Sequence, residues 1–324
     1  MYDIITIGAA TRDVYLKSPA FDLIKSDQFS TGVGECLALG SKNEASEIFL
    51  DTGGGATNAA VTFGNLKLNS SVISRIGNDS AGRDVIDVLK KKDVDISLIQ
   101  KDKKHLTTYS TLLLTGEGHR SVLVYRGASN FIQWGEVSKS KLKTKWFYIT
   151  SLGGDIKLLK NIFDFAKKNN IKIAWNPGGK EIKLGFKKLL PFIKQAEVLN
   201  VNREEASDLI KVDYQKKEEI FKKMEKMGAR IVVVTDGPDG AYAYAGKWFF
   251  APSLPTKPKN TTGAGDAFGS GLVAGLIIKN DIDYALRLAT LNADGVIRKM
   301  GAKNGLLERR PKDKELKKVK IKEL

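Results

Sequence analysis

The sequence predicts an α/β fold: a doubly wound, mostly parallel central sheet flanked by helices, with a small β lid. Three observations predict it. Strand-like apolar runs alternate with helical patterns from Trp146 to Thr235, and repeated β–α units of this kind build a parallel sheet with right-handed crossovers. Within them, Ile231-Val232-Val233-Val234-Thr235 is a continuous apolar run, the type buried on both faces of such a sheet. Two β runs, Thr107 to Thr115 and Ser121 to Arg126, are joined by Gly116-Glu117-Gly118-His119. That hairpin signal interrupts the alternation.

Taken in order, Tyr2 to Gly8 reads as a buried opening strand ending in glycine. Ala9-Ala10-Thr11-Arg12-Asp13 follows and lacks the second and third glycines of a dinucleotide fingerprint, which argues against an NAD-binding dehydrogenase. Asp13 stands just past this strand, where open α/β sheets place ligand contacts; a plain turn aspartate is the alternative. Ser18 to Asp51 is irregular and long for a connection inside a core, so it reads as a flap or lid. Gly53-Gly54-Gly55-Ala56-Thr57-Asn58 leads into a helical pattern. Its glycines allow close approach of a ligand or, alternatively, tight helix packing, and the Asn58 amide suits a hydroxyl ligand.

Ser71 to Gly77 reads as one strand, and Asn78-Asp79-Ser80 caps a helix from Ala81 to about Lys91. His119 in the hairpin turn reads as solvent-exposed. The regular part runs strand 146–150, helix Ile156 to Lys168, strand Ile171 to Trp175, helix Phe186 to Lys194, strand 197–200, helix Glu218 to Met227 and strand Ile231 to Thr235. Asn202 and Glu205, three apart, share one face of a starting helix. They suit a hydrated Mg²⁺, which wants oxygen ligands and keeps its waters, or form a capping box. Thr235-Asp236-Gly237-Pro238-Asp239-Gly240 is either a phosphate-contacting turn or a β-turn. A last helix, about Ile282 to Lys299, carries Asn292 among apolar neighbours.

One domain spans residues 1–324, with the lid formed by excursions at about 11–51 and 105–130. A basic tail at about 309–324 is expected to be only partly ordered. An apolar fraction of 42% and a charged fraction of 28% are those of a globular chain. One cysteine, Cys36, excludes an internal disulfide framework and fits a reducing compartment. With two histidines and that one thiol, no His/Cys metal cluster can be assembled. The start carries no basic n-region or long apolar run, so no signal peptide and no membrane span are expected. A cytoplasmic location is expected. The net charge of +16, from 53 Lys+Arg against 37 Asp+Glu, raises a nucleic-acid role. The lysines are scattered along helices without interleaved aromatics, so a solvated surface is the better reading.

The chain is organised around Asn260-Thr261-Thr262-Gly263-Ala264-Gly265-Asp266-Ala267-Phe268, followed by the apolar helical pattern of Leu272, Val273, Leu276 and Ile277. Unpaired N–H donors and the helix dipole favour an anion at such a helix start. Asp266 then stands beside the anion. For binding alone the charges repel; the arrangement makes sense if the carboxylate takes a proton from a nucleophile attacking that anion.

These residues together resemble the ribokinase-like (PfkB) carbohydrate kinase family. Thr262 to Phe268, Gly53 to Ala59 and Asn202 to Glu205 carry the resemblance, in the family's order, and the Gly77-Asn78-Asp79 and Thr235-Asp236-Gly237 turns agree. No P-loop or protein-kinase signature occurs, consistent with a family that uses neither. The resemblance implies a ribokinase-like fold and an ATP-dependent kinase acting on a hydroxyl of a sugar, nucleoside or sugar phosphate. By motif match Asp266 would be the base, and Gly263, Ala264 and Gly265 would offer N–H groups to the transferring phosphoryl. Asn202 and Glu205 would position Mg²⁺ and its waters. Asp13, Gly54, Gly55 and Asn58 would hold substrate hydroxyls. Thr235, Gly237, Gly240, Thr262 and Asn292 would lie on the ATP side.

The β excursion would be a lid and, as in many relatives, a homodimer contact. Asn260 stands where many relatives carry the aspartate of a monovalent-cation site, so no such site is predicted. A neutral sugar or nucleoside is favoured as acceptor because Asp13 and Asn58 recognise hydroxyls. A phosphosugar would use Arg12, Arg120 or Arg126, and a non-catalytic sensor of the same fold is the further alternative.

Overall fold

The computed structural model describes residues 1–29, 32–115 and 120–324. The predicted turn at Gly116 to His119 lies outside them. A ten-stranded sheet forms the centre. Its spatial order is Lys322–Glu323, Trp248–Ala251, Ala241–Tyr244, Ile231–Thr235, Val198–Asn202, Lys172–Trp175, Thr144–Ile149, Tyr2–Ile7, Ser70–Ile73 and Val94–Asp95. From Ile231–Thr235 to Val94–Asp95 every pairing is parallel. The three strands at the other edge are antiparallel.

The continuous apolar strands are explained by cover on both faces. Alternate residues point to opposite sides, so Ile5, Phe147, Val232 and Val234 join one buried cluster, with Phe163 and Leu189 of the helices Ile156–Lys168 and Phe186–Ile193. Ile4, Tyr148, Ile231 and Val233 join the other, with Phe63, Phe268 and Leu272. On that second face the helices Ala264–Lys279 and Ile282–Ile297 pack as a pair. A Cβ on Gly275 would lie 2.4 Å from Ala285 Cα, so glycine sets how closely the two helices approach. The first of them also packs closely on the sheet, where a Cβ on Gly269 would lie 2.4 Å from the Tyr148 hydroxyl. Its N-terminal Gly263 and Asp266 share a cleft with Thr150 and Asn176, just past the carboxyl ends of two strands.

A second sheet of four strands stands apart, ordered Arg120–Tyr125, Thr108–Leu114, Thr11–Lys17 and Glu47–Gly53. Its outer face, opposite Asp13, carries exposed Ile48, Leu50 and Leu123. Asp13 is within one of these strands, not in a turn. The excursion after it also holds the hairpin Asp22–Lys25 with Val33–Cys36.

Three details differ from expectation. The run 71–77 is two strands: Ser70–Ile73 joins the central sheet, and Arg75–Gly77 pairs with Gln100–Asp102. The antiparallel edge strands Ala241–Tyr244 and Trp248–Ala251 lie where no strand is expected. The basic tail is ordered, with a helical turn at Asp313–Leu316 and Lys322–Glu323 paired to Phe249–Phe250. Buried Val319 and Leu316 anchor it, so its lysines ride on a segment fixed by apolar contacts. Among the described residues no helix is long and apolar enough to cross a membrane.

Candidate active site

The turn before the helix Ala264–Lys279 separates two cavities. Gly263 takes a left-handed conformation (φ 82°), and a Cβ there would sit 2.5 Å from that of Ala302, so glycine is required. The Ala264 N–H turns back to Thr261 O (3.2 Å), leaving the Gly265 and Asp266 N–H groups as free donors of the first turn. Ala264, expected to offer its N–H to an anion, is therefore already engaged.

On one side is a cleft of about 310 Å³, open toward the four-stranded sheet. It is lined by Asp13, Gly54, Gly55 and Asn58, by Thr262, Gly263 and Asp266, and by Glu205 and Arg126. On the other is an apolar-walled cavity of about 320 Å³, with Thr235, Gly237 and Gly240 along one side, Ala264 and Gly265 at the turn, and Thr290, Ala293 and Ile297 opposite. Asp236, held by Arg203 (3.0 Å) and Lys217 (3.1 Å), fixes the turn between Thr235 and Gly237.

Two residues expected on the ATP side are placed elsewhere. Thr262 lines the first cleft, and its neighbour Thr261 lines the second. Asn292 is 0% exposed and lines neither. Its Nδ2 donates to Ala267 O (2.8 Å) and Thr62 Oγ1 (3.2 Å), and its Oδ1 accepts from Leu307 N (2.9 Å). The amide ties three segments together because a buried polar group must find partners.

Asn202 and Glu205 form the capping box: Asn202 Oδ1 accepts from Glu205 N (2.7 Å) and Glu205 Oε2 from Asn202 N (2.9 Å). No described residue donates to the other Glu205 oxygen, and the side chain lines the cleft. Burial pushes its carboxyl up to about 7, with Asp266 among the charges adding to the shift. No group of three or more His, Cys, Asp or Glu side chains that could hold a metal occurs among the described residues. One carboxylate with water as the other ligands fits the demands of Mg²⁺.

At the cleft floor Asn58 Nδ2 donates to Asp266 Oδ2 (2.8 Å). Burial raises the Asp266 carboxyl above the usual carboxylate range, against the Asn58 hydrogen bond and the charge of Lys303. Asp13 is pushed up to about 6, first by burial and also by Asp51 and Asp266. Lys303 itself is buried; its Nζ donates to Asn58 Oδ1 and to Thr52 O, both at 2.8 Å. Burial lowers its ammonium to about 8. Sequence reasoning missed it: one lysine among 53 basic residues carries no signal, beyond the glycine-flanked stretch Gly301 to Gly305 after the last long helix.

Of the arginines weighed for an anionic substrate, Arg126 lines the cleft. Arg12 is paired with Asp84 (2.7 Å), and Arg120 reaches Thr261 Oγ1 (2.8 Å). Asn260 is buried and its Oδ1 accepts from Thr262 N (2.8 Å), an interaction that shapes the turn.

The pfkB family carbohydrate kinase model matches residues 2–309. The chain belongs to the pfkB family of carbohydrate kinases. As a pfkB kinase it is a phosphotransferase with an alcohol group as acceptor. It is 28% identical over 276 residues to a ribokinase of Lactococcus lactis, which covers 84% of this chain and 86% of that one. Its fold is similar to that of an Arabidopsis thaliana ribokinase complexed with ribose and ATP (TM-score 0.78, 18% identity, 98% of each chain covered). It is also similar to a putative ribokinase II from E. coli in complex with ATP and Mg²⁺ (TM-score 0.75, 19% identity, 94% of this chain and 96% of that one). The family's ribokinase fold is thus this chain's fold.

Proposed function

We propose that this pfkB kinase transfers the γ-phosphoryl of ATP to a hydroxyl of a neutral sugar. One observation carries the choice of sugar: the cleft beside Asp266 is lined by hydroxyl, amide and carboxylate groups, with no aromatic side chain among the described residues that line it. A nucleoside base would want a stacking platform, and a phosphosugar several cations.

In this reading the acceptor lies in the cleft, held by Asp13 and Asn58, and ATP enters the apolar-walled cavity. The acceptor oxygen forms its bond to Pγ as the Pγ–Oβ bond breaks and ADP leaves. The hydroxyl proton passes to Asp266, and the Gly265 and Asp266 N–H groups meet the developing charge. Glu205, with Asn202 at its cap, would hold Mg²⁺ through water; bound there, the ion would neutralise phosphate charge. The four-stranded sheet acts as the lid that excludes water, and its apolar outer face serves a homodimer. The lone Cys36 suits a cytoplasmic setting.

Arg126 at the cleft favours a second reading, a phosphosugar acceptor. The test is ADP release with Mg-ATP across pentoses, hexoses, nucleosides and phosphosugars. Turnover of a neutral sugar is expected; preference for a phosphosugar supports the second reading, and tight binding without ADP release makes the chain a sensor.

A further inference from the structure

The segment that follows the helix Ile282–Ile297 returns to the site. Ala302 packs on Gly263, and Asn304 Nδ2 donates to Asp51 Oδ2 (3.0 Å) and to Met300 O (2.8 Å). This pinned segment delivers Lys303, only 8% exposed, to the underside of the cleft. Its Nζ touches two neutral oxygens, Thr52 O and Asn58 Oδ1, and no described carboxylate oxygen lies within 4.0 Å of it. A buried ammonium without a direct counter-ion is a costly structural element. The charged groups that face it are Asp51 of the strand Glu47–Gly53, Asp13 of Thr11–Lys17 and Asp266 of Ala264–Lys279. Arg12 and the Tyr15 hydroxyl stand behind them, coupled to Asp51 and, for Tyr15, Asp13.

We propose that Lys303 is a positioning residue for phosphoryl transfer: its ammonium holds Asn58 so that the amide N–H₂ must face Asp266. An ammonium only donates, so the carbonyl end of the Asn58 amide must face it as acceptor. The amide nitrogen is thereby committed to Asp266 Oδ2, and no described residue donates to Oδ1, which is left for the acceptor hydroxyl. A neutral amine can also accept a hydrogen bond. Once Lys303 loses its proton it donates more weakly and can itself accept, so the Asn58 orientation is held by Asp266 alone. With burial holding the Lys303 ammonium near 8, this loss falls just above neutral pH.

The inference rests on the kinase reading for its kinetic arm only. In the full-length enzyme kcat/KM is expected to fall above about pH 8 with one deprotonation. K303M should lower kcat/KM about 10- to 100-fold and flatten that alkaline limb, while the Mg-ATP affinity of the folded protein stays near wild type. Wild-type kcat/KM in K303M, or an unchanged alkaline limb, overturns the proposal. K303Q, which keeps a neutral donor, serves if K303M does not fold. A variant-free measurement is the Asn58 side-chain amide ¹⁵N resonance in the wild-type protein, expected to titrate with a midpoint near 8. A flat response overturns the proposal, even if no tested acceptor is phosphorylated and the kinase reading itself fails.

Discussion

Asn58 Nδ2 and Asp266 Oδ2 meet at 2.8 Å, across 208 residues of sequence and between the N-terminal turns of two different helices. The contact joins the Gly53-Gly54-Gly55 turn to the Gly263-Ala264-Gly265 turn. One brings groups suited to hydroxyls, the other free N–H donors suited to an anion. Asp266 lies between them, its carboxyl raised by burial but supported by an amide donor and a nearby ammonium.

Removing only the basicity of that carboxyl isolates its role. Asp266→Asn is nearly isosteric and should lower kcat by about 10²–10⁴-fold. Mg-ATP affinity should change little. Steady-state kinetics with calorimetric ATP titration checks both numbers, and a variant as fast as the parent removes Asp266 from proton transfer.

The assignment of the second cavity to the nucleotide is tested by filling it. Ala293→Phe places a ring among Thr290, Ile297 and Gly265, opposite the Thr235–Gly240 turn. ATP binding is expected to weaken at least about tenfold, or about 1.4 kcal/mol. Acceptor binding in the other cleft should be preserved. Equal loss of both affinities would mean that the two cavities are not separate subsites.

How much of this was legible in the sequence depended on whether a signal was periodic or positional. The strand Ile231–Thr235 is a continuous apolar run and the helix Ile156–Lys168 carries its period in apolar residues, and both stand where expected. The edge strands Ala241–Tyr244 and Trp248–Ala251 are four residues each and flank a glycine-lysine turn, too short for a pattern to stand out. At the site, glycine turns leading into helices marked the acceptor and anion loops. Side chains whose meaning comes from distant partners were unreadable: Lys303 acts through Asn58, 245 residues away.

Asn292 shows the same limit from the other direction and gives a third prediction. The family resemblance implied a place for Asn292 on the ATP side, but its three hydrogen bonds are internal. Asn292→Ala should therefore cost stability, about 2–4 kcal/mol, by leaving buried groups unpaired. Urea denaturation measures that loss. In the folded fraction Mg-ATP affinity should stay near wild type; a selective loss of affinity with normal stability would restore the nucleotide role.

The buried carboxylate at the cleft wall makes a pH prediction of its own. Asp13 rises to about 6 in the folded protein, against roughly 3.9 in an unfolded chain. Between those values the folded state binds the extra proton, so its contribution to stability is full below about pH 4 and is lost as pH rises toward 6. Its size is on the order of 3 kcal/mol. Asp51 and Asp266, also raised, add to the same slope. Urea midpoints at pH 4, 5 and 6 should therefore fall more steeply in the wild type than in Asp13→Asn, which has no proton to lose. Parallel slopes would show that Asp13 ionises normally, and its burial beside Asp51 would then be offset by the Lys303 ammonium.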